Sequence, residues 1–136
     1  MLCDAIINSI SSKLTAAGFT VKREYIDDIA DVGAVSYPAF LRVEKIGMRE
    51  LVQSQEDERS CREEVTLKIR ALSKDEGFSG AAALENKTEN AIMRIYLTEN
   101  ILVKNITCGE VRKNMSLGRL EQVIELTASA TISISE

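Results

Sequence analysis

The side chains that carry most protein chemistry are missing or badly spaced in this sequence. There is no histidine. That removes histidine-based nucleophile triads, the common histidine metal sites and a simple histidine pH switch. The cysteines are Cys3, Cys61 and Cys108, an odd number spread along the chain. No CxxC pair exists, so they read as reduced structural cysteines and not as a zinc ribbon or redox site. Asp27, Asp28 and Asp31 invite a metal ion. The EF-hand order of alternating acidic or amide residues ahead of a glycine is absent, and no Glu closes a loop at the required offset. The trio reads as a solvated turn with Asp caps. Gly77-Phe78-Ser79-Gly80 is not a nucleophile elbow, and Ser79 has no histidine to act as its base.

Other site chemistries fail on the same inspection. Neither the glycine pattern of dinucleotide-binding folds nor the P-loop occurs. Acidic residues number 21, yet no two of them stand out as a buried acid and base. Arg112, Lys113 and Arg119 make a basic cluster too small to bind nucleic acid. The expectation is a protein that is not an enzyme, with no catalytic, cofactor-binding or metal residues.

Composition supports a folded domain. The chain has 136 residues, enough for one domain with a real core, and 45% of them are apolar. Aromatics are 4% with no Trp, so the core is aliphatic and base-stacking platforms are scarce. A net charge of −4 argues against nucleic acid or an anionic membrane as the main partner. Asp4 follows the N-terminus closely, and no basic start precedes an apolar core, so no signal peptide is expected. No stretch approaches a membrane span. The protein is expected to be soluble and made in the cytoplasm.

The elements follow from periodicity. The last stretch, Leu120 to Ile134, alternates most strongly. Leu120, Ile124, Leu126, Ala128, Ala130, Ile132 and Ile134 share one parity with Gln122, while Ser, Thr and Glu fill most of the other. This is a strand with one buried and one wet face. At about 3.3 Å per residue it spans roughly 50 Å, against a domain diameter of about 35–40 Å. Either it bends, or one end reaches beyond its own domain.

Two helices are expected. Asp4 to Ala17 places Ile6, Ile7, Ile10, Leu14 and Ala17 in one stripe, with Asp4 as cap and Gly18 as the left-handed end. The second, Ala81 to Leu97, has Ser79 as cap and an inward stripe of Leu84, Thr88, Ala91, Ile92, Ile95 and Tyr96. Phe19 to Tyr25 reads as a strand. Phe40 to Val52 slips phase, which a strand can do only with a bulge or bend, and Gly47 is placed for one. Its partner carries Cys61, Val65, Leu67, Ile69 and Ala71 on one face, with Glu63 among them. The polar link Gln53–Ser60 reads as a hairpin tip. Ile101 to Val111 reads as a strand whose parity changes between Val103 and Ile106. The polar connection Arg112–Gly118 follows. The order gives a single α+β domain over 1–136, with a mostly antiparallel sheet, two amphipathic helices packed on it and long hairpins.

In this order of elements the chain resembles the tail terminator proteins of tailed bacteriophages and related phage-tail-like particles. The resemblance rests on the first helix, the Tyr37-Pro38-Ala39-Phe40-Leu41 lead-in to a strand and the long charged hairpin. An alanine-rich second helix and a long Ser/Thr-rich last strand complete it. It implies a subunit that assembles as a homohexameric ring on the tail tube, ends tube polymerisation and forms the interface to head or neck. The partners implied are other copies of the chain, the tail tube protein, and neck, connector or sheath proteins. Assembly would occur in the host cytoplasm and the product would be part of the virion. Related head–tail joining proteins share this outline, and a non-viral small binding module is the competing class. A ring needs two different complementary surfaces per subunit. Candidate interface residues are Arg49, Glu56, Asp57, Glu58, Arg59, Arg112 and Lys113, with the acidic tip Glu56–Glu58 opposed to the basic pair Arg112-Lys113.

Overall fold

The computed structural model describes residues 4–23, 35–53 and 59–133. Helix α1 covers Asp4–Ala16, and strand β1 covers Thr20–Arg23. A long hairpin of β2 (Pro38–Gln53) and β3 (Arg59–Lys74) follows, then helix α2 (Gly77–Tyr96). Strands β4 (Leu102–Cys108), β5 (Arg112–Asn114) and β6 (Arg119–Ser133) complete the chain. The architecture is α+β with a dominant, mostly antiparallel sheet, as the periodicity indicates. Its strand order is β1-β2-β3-β6-β4, with β5 also on β6 and β1 parallel to β2.

Strand β6 is the spine of the sheet. It pairs with β3 without a register shift from Ser60↔Ser133 to Lys74↔Arg119, and its other edge carries β4 and then β5. Ile124, Leu126, Ala128 and Ala130 point into the main core with Val65, Leu67, Ile69 and Ala71 of β3. Helix α1 adds Ile6, Ile7, Ile10 and Leu14 to the same cluster, and α2 adds Leu84, Ala91 and Ile95. Both helices therefore cover one face of the sheet. Each fully buried Leu or Ile stabilises the fold by about 1.5–3 kcal/mol relative to exposure.

The expected phase slips are real. The β2–β3 register shifts between Val43 and Lys45 and again between Ile46 and Met48, the second at Gly47. The β4–β6 register shifts between Val103 and Asn105. A bulge moves one side chain across the sheet, so apolar residues of opposite parity reach the same face.

Helix α1 ends as expected. Gly18 takes φ 101°, Phe19 N–H donates to Leu14 O at 3.1 Å, and Gly18 N–H donates to Thr15 O at 3.0 Å. These bonds satisfy carbonyls that a helix end would otherwise leave open.

Several boundaries differ from the sequence reading. Asp4 lies in the first turn of α1, where its charge still favours the helix N-terminus, and not before it. Helix α2 begins at Gly77, and Ser79 is inside it, its hydroxyl donating to Glu76 O at 3.3 Å. The glycines that suggested a turn are absorbed into the helix start. A Cβ on Gly80 would stand 3.0 Å from Glu76 Cβ, a tight approach within the helix start, and at ordinary contact distance, 3.5 Å, from Leu120 Cδ1 of β6. Tyr96, expected to face inward, is 60% exposed, because it falls off the Leu84, Thr88, Ala91, Ile95 stripe. Arg112–Asn114 is a short strand on β6, and only residues 115–118 turn. Strand β1 is described from Thr20 to Arg23, and Glu24 and Tyr25 lie outside the described residues.

Candidate assembly surface

The sheet outlasts its helical cover. On the helix-facing side the main core ends at Val65 of β3 and Ala130 of β6. Beyond it β2, β3 and β6 continue as a three-stranded arm toward the 54–58 link. Leu51, Cys61 and Ile132 pair across this arm in one row, and Arg49, Glu63 and Ala130 in the next. None of Ile46, Leu51, Cys61 and Ile132 belongs to the main core cluster. Ile46 is 46% exposed and Leu51 76% exposed. The long strand thus reaches beyond its own core.

Within the arm, Glu63 was the one acidic residue on an otherwise apolar face. It is buried, and Arg49 Nη2 donates to its Oε1 at 2.7 Å. Its Oε2 is buried with no hydrogen-bond partner. A buried acceptor left unmade costs about 1–3 kcal/mol, more when charged.

The opposite face of the sheet is polar and cross-braced. Arg70 donates to Glu121 Oε2 through Nε at 3.0 Å and Nη2 at 2.6 Å, and Asn114 Nδ2 donates to the same oxygen at 3.2 Å. Thr66 and Thr127 hydroxyls are 3.0 Å apart, and Lys104 pairs with Glu64. A small cluster of Phe40 and Leu72, with Leu117 against it, is the apolar part of this face.

The far end of the sheet carries the expected basic pair. Lys113 bridges to Asp75 at 3.0 Å, and Arg112 is exposed beside it on β5. The Lys113 hydrogen bond, helped by the Gly77 N–H, holds the Asp75 carboxyl below its ordinary range. Arg119, read as part of a basic cluster, is instead buried and donates to Val35 O at 2.8 Å. The cluster is smaller than the sequence suggests because β6 turns Arg119 inward.

The candidate interface residues therefore divide. Arg49 is engaged with Glu63 in the arm, and Arg59 is exposed at the start of β3. Glu56, Asp57 and Glu58 lie outside the described residues. Arg112 and Lys113 sit at the other end of β6. The fourteen register steps between Ser60↔Ser133 and Lys74↔Arg119 span roughly 45 Å. Arg59 therefore stands far from Arg112 and Lys113 within one subunit, and Lys113 already has an acidic partner in Asp75.

The residues considered for other chemistry are not assembled into a site. Asp27, Asp28 and Asp31 lie outside the described residues, as does Cys3. Among the described residues no group of three or more potential metal ligands occurs. Burial and, less strongly, Glu85 push the Cys108 thiol up, which keeps it protonated and weakly nucleophilic. No helix among the described residues is long and apolar enough to cross a membrane.

One polar residue was visible in the sequence but its use was not. Gln122 breaks the apolar parity of β6; its Nε2 donates to Gly109 O at 2.9 Å, and Gly109 N–H donates to Val123 O at 3.0 Å. Gln122 thereby pins the link between β4 and β5.

Sequence comparison finds no matching family model and no matching curated protein. Among solved structures, the chain is similar to the type 4 fimbrial biogenesis protein PilO from Pseudomonas aeruginosa. The identity is 10% and the TM-score 0.40, over 97% of this chain and 69% of that one.

Proposed function

We propose that this chain is a structural assembly subunit of a tailed phage or phage-tail-like particle, a tail terminator that caps the tail tube as a homohexameric ring. The reading joins the resemblance in element order to one observation: the arm of β2, β3 and β6 projects past the core with apolar residues exposed on its helix-facing side. A subunit that acts alone has little reason to expose Leu51 and Ile46 on a sheet face. A ring subunit does, because each copy must offer two unlike surfaces to its neighbours. The tail tube protein and the neck proteins are the further partners this role requires.

The test is tube capping. The purified protein is added to polymerising tail tube protein, and tube length and tube ends are measured by electron microscopy. Shorter tubes with a ring of density at one end are expected. Tubes of unchanged length with bare ends refute the role.

A further inference from the structure

Where β4 meets β6, the sheet leaves a strand position empty. The first β4–β6 pair is Leu102↔Ser129. Beyond it β6 runs on through Ala130–Ser133, held on one edge by Ser60–Glu63 of β3. Among the described residues nothing pairs with its other edge there. The cause is the lead-in to β4. The chain arrives from α2, on the helix side, so the residues before Leu102 leave the plane of the sheet. Ile101 is buried in the main core, and Asn100 Nδ2 donates to Ser9 Oγ of α1 at 2.7 Å. An unpaired strand edge presents main-chain N–H and C=O groups in the pattern that another strand satisfies. The outer edge of β4 is a poorer template, because the bulge between Val103 and Asn105 twists it.

The empty position opens into a cleft of about 550 Å³. Ser129 lines it and is 8% exposed, and its hydroxyl has no hydrogen-bond partner among the described residues. Buried hydroxyls are almost always paired, so this one is open to a ligand. The cleft is lined by two cations, Arg62 and Lys104, against one carboxylate, Glu99. Lys104 is held by Glu64. Arg62 is held loosely, its Nη1 3.8 Å from Glu50 Oε2 with both side chains about half exposed. The two sides of the position differ. Arg62, Ser129 and Thr131 stand on the polar side of the sheet, and Ala130 and Ile132 on the helix-facing side. We propose that this corner binds an extended peptide of another protein as a short added strand, antiparallel to β6 and in line with β4. Its apolar side chains lie over Ala130 and Ile132, and an acidic side chain meets Arg62 and the Ser129 hydroxyl. Main-chain pairing supplies affinity, and the alternate side chains supply specificity. The site needs neither a second copy nor a tail tube, so it stands apart from the ring reading.

The probe is a short peptide of alternating valine and glutamate, blocked at both ends. Two control peptides carry glutamine for glutamate, or methyl groups on the backbone nitrogens. Binding to the isotope-labelled full chain is followed through its backbone amide resonances over a peptide titration. The glutamate peptide is expected to shift the amides of Leu102 and Ser129–Ser133 and to slow hydrogen exchange at Ala130–Ser133. Each control is expected to bind at least about tenfold more weakly. Arg62 is half exposed, so Arg62→Gln leaves the fold intact. In that variant the glutamate and glutamine peptides are expected to bind alike. Ser129→Ala is expected to weaken the glutamate peptide more than the glutamine peptide.

No shift at those amides at any peptide concentration overturns the site. Equal binding of the methylated peptide overturns it too, because the main chain is then not paired with β6. An undiminished preference for glutamate in Arg62→Gln overturns the acidic contact. Free glutamate that binds as tightly as the peptide makes the cleft a small-anion site and also overturns the proposal. Tube capping is decided separately from all of these results.

Discussion

The ion pair in the arm gives the sharpest energetic prediction. Removing Arg49 by Arg49→Ala leaves Glu63 buried with neither oxygen satisfied by that partner. The Glu63 side chain is 7% exposed and that of Arg49 42% exposed, so the pair is sealed on one side and wet on the other. Breaking a fully buried pair costs about 3–5 kcal/mol. An exposed pair is worth about 0–1 kcal/mol. The arm lies between these limits, and a loss of about 2 kcal/mol is expected. With a urea slope of about 2 kcal/mol/M, that lowers the unfolding midpoint by about 1 M. Glu63→Met should behave differently. It replaces a half-satisfied carboxylate by an apolar side chain of similar size between Val65, Cys61 and Ala130. The result should be neutral or stabilising, because the desolvation penalty disappears with the charge. In the Glu63→Met background, Arg49→Ala should then cost less than in the wild type, because its pair with Glu63 is already gone. Urea unfolding followed by circular dichroism on the four proteins of this cycle measures each term. If Arg49→Ala costs the same with and without Glu63, the two residues are uncoupled and the reasoning fails.

Other parts of the fold make independent predictions. Gly18→Ala should destabilise by about 1–3 kcal/mol, since Gly18 is at φ 101°. The added Cβ would also stand 2.6 Å from Lys87 Nζ, so Lys87→Ala should recover only the steric part in thermal unfolding. Leu84→Ala, in the main core on α2, should cost about 2–5 kcal/mol in chemical denaturation, whereas Thr131→Ala at an exposed β6 position should fall within about 0.5 kcal/mol of wild type. Asp75 has a folded pKa depressed below 3.8, so its contribution is present above that value and is lost as pH falls through the folded one. Asp75→Asn should therefore flatten the acid limb of a stability-against-pH curve and leave its alkaline limb unchanged.

Much of the fold was legible because burial has a period. The alternation of β6 and the α1 stripe of Ile6, Ile7, Ile10 and Leu14 each name a buried face without reference to any partner. Even the bulges showed, as parity changes at Gly47 and between Val103 and Ile106. Element ends were less legible. Ser79 and Asp4 are good caps by type, yet both lie inside the first turns of their helices. The candidate assembly surface was half visible. Leu51 and Cys61 lie in strands whose parity the sequence reports, but parity cannot say where the helices stop covering the sheet.

By itself, then, the sequence determined which face of each strand and helix is apolar, that the last strand is longer than the domain, and that histidine chemistry is absent. Those are local properties, carried by residue type and spacing along the chain. Only the tertiary structure decided that β6 lies between β3 and β4, that Arg49 reaches Glu63, and that Arg119 turns inward to Val35 O. It also decided that the arm outruns its core. Each of these depends on which residues distant in the chain become neighbours, and a side chain's burial is set by that neighbour and not by its own identity.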